Sequence, residues 1–243
     1  MSPPTLLAPP VALVCAKTLR CLALLALCAL PGLASAHNVD TSDAAFLQAQ
    51  SGVVLWLYLY LGAKHMVTGL DHLLFLAGVV FFLRSLRDVA IYVSLFALGH
   101  SLTLILGVMF ELNANPYLVD AVIGLSVVYK ALENLAQQRG RHFVLDTRAA
   151  VFIFGLCHGL GLATKLRQIT LPEDGLLLNL LAFNLGVEVG QLLALSAIVL
   201  LVFVWRQRPQ FSAQALAANW LTMTGGFLLM GIQLSAYWVA SAN

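Results

Sequence analysis

Charge is what this chain has least of. Only 10% of its 243 residues are Asp, Glu, Lys or Arg, 60% are hydrophobic, and the mean hydropathy is +0.90. That balance excludes an ordinary soluble domain, whose surface needs far more charge, and leaves an all-α polytopic membrane bundle as the expected class. The net charge of +2 includes no basic stretch interleaved with aromatics, which argues against a nucleic-acid partner. Repeats are lacking too, so a repeat-built transporter architecture has no support. Cysteine is nearly confined to the start of the chain: Cys15, Cys21 and Cys28 come early, and only Cys157 follows. No disulfide can form within the part after residue 36, where Cys157 reads as a small packing residue.

The first 36 residues have the pattern of a signal peptide. Lys17 and Arg20 precede an apolar core from Cys21 to Leu30, followed by a Pro31-Gly32 break and Ala34-Ser35-Ala36. Cleavage after Ala36 is expected, with an uncleaved anchor as the alternative. A new terminus at His37 would offer both its amine and its imidazole to a metal. Residues 37–65 then form a periplasmic tail ending in an interfacial segment, Val53 to Ala63, which is too short to cross and carries Trp56, Tyr58 and Tyr60. Residues 66–243 form the transmembrane domain.

Six spans follow from the apolar runs: Met66 to Leu83, Val89 to Phe110, Tyr117 to Leu135, Ala149 to Lys165, Leu176 to Val204 and Leu216 to Val239. With the mature amino terminus outside, the inner loops hold Arg84, Arg87, Lys130, Arg139, Arg141, Arg148, Arg206 and Arg208. The outer ones hold only Lys64, Lys165 and Arg167. That asymmetry obeys the positive-inside rule and places both mature termini in the periplasm of a bacterial inner-membrane protein.

Within the spans, ionisable residues stand out because each is costly in lipid. The first span carries His65, Asp71 and His72; its two histidines are seven apart and therefore near one face. His100 and Ser101 fall mid-way along the second span, and His158 along the fourth. Asn184, Glu188 and Gln191 follow a four-then-three spacing on the fifth, which places them on one helix face. Gly155 and Gly159 flank His158, and Gly186 and Gly190 flank Glu188, in small-xxx-small patterns that let helices approach. Should the fourth and fifth spans meet there, His158 meets Glu188.

Imidazoles and carboxylates together suit a divalent transition metal, whose charge compensates the buried anions. A proton relay uses the same residue types. The expected metal set is Asp71, His72, His100, His158 and Glu188, with His65, Asn184, Gln191, Asp120, Glu133 and His37 in support. Glu133 beside Lys130 reads first as a snorkelling ion pair and second as an inner gate. Asp120 reads as an entry carboxylate or a helix-start charge.

The runs HMVTGLDHLLFL, LFALGHSLTL, GLSVVYKALENL, FGLCHGLG and FNLGVEVGQ, in that order, resemble the HupE/UreJ family of bacterial inner-membrane proteins. The resemblance extends from about His65 to about Gln191 and is closest to a broad branch not tied throughout to a nickel enzyme. It implies a nickel, or alternatively cobalt, permease associated with hydrogenase or urease maturation. The family's signature falls on His65, Asp71, His72, His100, His158, Asn184 and Glu188. Two other classes stay open. A zinc-dependent intramembrane hydrolase would use three histidines, with Asp71 and Ser101 as catalytic groups. A metal chaperone or sensor would bind without transporting.

Overall fold

The computed structural model describes residues 52–83, 85–141, 146–167 and 174–242. The signal segment, His37 and Arg84 lie outside the described residues. Those described form seven helices and no strand: α1 (Leu55–Thr68), α2 (Leu70–Val80), α3 (Leu86–Met109), α4 (Pro116–Gln138), α5 (Thr147–Leu166), α6 (Leu176–Arg206) and α7 (Phe211–Ala242). Local chemistry sets several starts. Ser85 accepts from the Arg87 amide, Asn115 from Tyr117 and Leu118 ahead of Pro116, and Asp146 from Arg148 and Ala149. Each side chain satisfies amides that the first helical turn leaves open.

Among the described residues, four helices are long and apolar enough to cross a membrane: α3 from Arg87, α5, α6 and α7. Helix α4 is 23 residues long but carries Asp120, Lys130 and Glu133. The first expected span is two helices instead of one, broken at Gly69, whose ψ of 103° leaves the helical region. The aromatic segment before it is not a separate strip at the interface. It forms most of α1 and packs lengthwise on α6, with Tyr58 and Leu61 buried and Trp56 and Tyr60 outside. The expectation failed because hydropathy measures only how long an apolar run is. The small residues Gly62, Ala63, Gly186 and Gly190 decide what it packs against.

Three helix pairs carry most of the packing: α1 with α6, α3 with α5, and α4 with α7. In each, glycine lets backbone meet backbone. A side chain on Gly62 would strike Phe183, one on Gly186 would strike Leu59, one on Gly155 would strike Phe96, and one on Gly226 would strike Gly124. The two glycine pairs expected to join the fourth and fifth spans thus serve different partners: Gly155 and Gly159 face α3, whereas Gly186 and Gly190 face α1. Small-residue spacing marks a face that can approach closely, without naming which helix fills it.

Contacts along these pairs give the helix directions. Leu59 meets Gly186 and Ala63 meets Gly190, so α1 and α6 are parallel. Phe96 meets Gly155 and His100 meets Gly159, so α3 and α5 are parallel. Asp120 pairs with Lys165 while Glu133 pairs with Thr147, so α4 and α5 are antiparallel. Asn134 with Asn219, and Gly124 with Met230, reverse α7 against α4. Counting α1 and α2 as one passage, each passage reverses its predecessor, as successive crossings require.

These close contacts yield a test. In Gly186→Val the new side chain overlaps Leu59 backbone, which cannot turn aside, and unfolding stability in detergent should fall by about 3 kcal/mol. At Gly231 nothing stands in the way of a side chain. There Gly231→Ala should leave stability unchanged or slightly raised, since it removes backbone freedom from the unfolded chain.

Candidate metal centre

Asp71 and His72 open α2, directly after the break. The α2 ladder begins with the Leu73 amide donating to the Gly69 carbonyl, so Asp71 stands in the first turn of a new helix. A helix start favours a negative charge. Gly69 makes the arrangement sterically feasible. A Cβ there would stand 2.7 Å from His72 Nδ1 and 3.4 Å from Asp71 Oδ1.

Around His72 the other imidazoles gather. Its ring centroid lies 5.0 Å from that of His65, 6.0 Å from His100 and 5.0 Å from His158. One ring nitrogen from each of His65, His72 and His100 falls within 4.8 Å of the other two. Bonds of about 2.1 Å to a tetrahedral ion put nitrogens about 3.4 Å apart, so a bound cation would draw these rings inward. Asp71, His72, His100 and His158 are fully buried, and His65 is partly so.

The carboxylate of Asp71 connects the fourth imidazole to this group. Its Oδ2 is 3.0 Å from His72 Nδ1 and 3.8 Å from His158 Nε2. On its other side His158 Nδ1 is 2.7 Å from the Phe154 carbonyl, which can only accept, so Nδ1 carries the proton. In the neutral ring, Nε2 then presents a lone pair toward a carboxylate oxygen. Two acceptors facing one another at that separation suit a cation between them, and the backbone bond fixes the ring as metal-ligating histidines require.

Five of the expected residues therefore converge: His65, Asp71, His72, His100 and His158. Glu188 does not. It is exposed on α6, on the side of Leu181, Leu185 and Leu192. A four-residue step overshoots a helical turn by about 40°. That rotation carries Glu188 past the edge of the buried face holding Asn184 and Gln191, and α6 meets α1 there, not α5. Asn184 and Gln191 are buried, donating to the Leu180 and Val93 carbonyls at 3.1 and 3.3 Å, and Gln191 thereby ties α6 to α3. Ser101 turns to the partly exposed side of α3.

The remaining carboxylates are paired away from the imidazoles. Asp120 Oδ2 meets Lys165 Nζ at 2.8 Å. Glu133 meets Lys130 Nζ at 2.8 Å and accepts from the Thr147 hydroxyl, the ion-pair reading of that residue.

Sequence reasoning missed an aromatic layer. Phe75 lies 5.3 Å from Phe96 and 5.7 Å from Phe154, while Phe96 lies 5.0 Å from His158 and 6.2 Å from His100. The signal was present in the spacing. Phe75 is three residues after His72 on one helix direction, and Phe96 and Phe154 are each four before a histidine on the opposite direction. All three thus stand one turn to the same side of the imidazoles.

Two substitutions separate the positioning residue from the outlier. Gly69→Ala should displace the His72 ring and weaken metal binding by about tenfold while the fold persists, read by calorimetric titration. Glu188→Gln should leave that affinity as in the native protein.

Neither the curated proteins nor the solved structures hold a match to the chain. A protein-family model described as HupE / UreJ protein does match it, over residues 41–241. That match takes in every described helix but the last residue of α7, with all four imidazoles and Asp71 inside it; the chain belongs to the HupE/UreJ family.

Proposed function

We propose that this protein is a membrane permease for a divalent transition metal, with nickel as the first substrate and cobalt as the alternative. The observation that carries the reading is the central cluster. Four imidazoles and the buried carboxylate of Asp71 come together at the centre of the bundle. Neutral imidazole with one carboxylate is a borderline donor set suited to nickel and cobalt. Family membership supports the same cargo, since the HupE/UreJ family is associated with nickel and cobalt handling and with hydrogenase and urease maturation.

In this reading the cation enters from the periplasmic end, along α1, and sheds water on reaching His65. It is held by His65, His72, His100 and Asp71, and His158 Nε2 supplies a further nitrogen. Release inward requires the donors to lose their hold, and protonation of the imidazoles or the carboxylate does this directly. Binding therefore releases protons and weakens as pH falls. The inward path must also part the Phe75, Phe96 and Phe154 layer. A zinc hydrolase has weaker support, because Ser101, the hydroxyl next to His100 in the chain, is partly exposed while His100 is fully buried.

Uptake of radioactive nickel into proteoliposomes tests the proposal. His100→Ala and His158→Ala should each reduce the rate by at least about tenfold. Native-like uptake in both variants would overturn the reading. Stoichiometric zinc that survives chelator in purified protein would instead favour the hydrolase.

A further inference from the structure

Tyr58 is a polar group that the metal centre as described does not use. It is 1% exposed, and its hydroxyl is fully buried without a hydrogen-bond partner among the described residues. Buried phenols ordinarily find one, so an orphaned hydroxyl calls for a transient partner. Its place on α1 says where that partner passes. Tyr58, His65 and His72 are each seven residues apart, and in α1 this spacing puts Tyr58 on the His65 face, about 10 Å nearer the start of the helix.

The surroundings reinforce that placement. Tyr58 belongs to a buried cluster with Leu104, Leu162, Leu180 and Phe183. Leu104 and Leu162 stand one turn beyond His100 and His158, on the side away from the Phe75 and Phe96 layer, and the Phe183 ring lies 6.2 Å from His65. The imidazoles thus sit between an aromatic floor and a mainly aliphatic ceiling. Tyr58 brings a hydroxyl into this apolar cluster.

We propose that the Tyr58 hydroxyl is a way-station on the outer half of the cation path. Its oxygen accepts a hydrogen bond from water carried by the metal, which is a stronger donor than bulk water, while the cation crosses the apolar ceiling. No bond to the metal is involved. Tyr58 acts on passage and leaves the equilibrium hold of the imidazoles to His65, His72 and His100. The inference rests on the permease reading, and it adds a residue to the path that the metal-ligand set does not include.

Tyr58→Phe removes the hydroxyl and keeps the packed ring. In proteoliposomes, nickel uptake should slow by about fivefold, the scale of one lost hydrogen bond. The nickel affinity from calorimetric titration should be unchanged, and the metal-free melting temperature should be equal or higher, because an unsatisfied buried group has gone. Uptake at the native rate, or a lower metal-free melting temperature revealing a structural hydrogen bond, would overturn the role of Tyr58 alone. Failure of the native protein to take up nickel would overturn the permease reading and this step with it.

Discussion

Backbone-to-backbone contact at glycine is the constraint on which the remaining architecture depends. In lipid, apolar side chains gain little by leaving hydrocarbon for one another, and close packing has to hold helices together. Gly159 sits against the His100 carbonyl and Gly155 against Phe96, so α3 and α5 approach as closely as helices can. That approach sets His100 and His158 on one level. On the other side, Gly62, Gly186 and Gly190 press α1 onto α6, and His65 is carried to the edge of the imidazole cluster. The imidazoles converge because two tight pairs flank the broken passage that carries Asp71 and His72.

Electrostatics within the bundle divide by depth. Toward the ends of α4, each buried charge has an opposite charge beside it: Asp120 with Lys165, Glu133 with Lys130. Such pairs largely cancel and mark structure. At the centre the carboxylate of Asp71 has imidazoles as neighbours, whose charge depends on what they bind. Aromatic rings close one side and leucines the other, so field lines from that carboxylate are poorly screened. A site of this kind responds strongly to a proton or a metal because its charges act through a medium that screens them little.

Much of this was legible in the chain. The helices from α3 onward fall within a few residues of where apolar runs place them, and the residues that come together, Asp71, His72, His100 and His158 with His65 in support, stand out in the sequence as ionisable groups in apolar runs. Partner choice was not legible. Glycine spacing marks a close-packing face, yet Gly159 could as well have met α6 as α3. Nor could periodicity settle Glu188, since its rotation from Asn184 is small and the edge of the buried face depends on where α1 lies. The break at Gly69 was hidden for a similar reason: one glycine in an apolar helix is ordinary, and only the crowding of His72 and Asp71 around it gives this one its meaning.

One helix holds both ends of that broken passage. Asn179, in the first turn of α6, accepts from the Val54 amide and donates to the Gly52 carbonyl. Arg206, at the last turn, donates to the carbonyls of Val80, Phe81 and Leu83 where α2 ends. The unbroken helix acts as a strut, and the two halves cannot slide along it without losing one set of bonds. With both ends pinned, bending at Gly69 would bow the passage sideways and change the spacing around the imidazoles. Motion of that kind moves Asp71 and His72 relative to His100 and His158 while leaving the glycine-packed pairs intact.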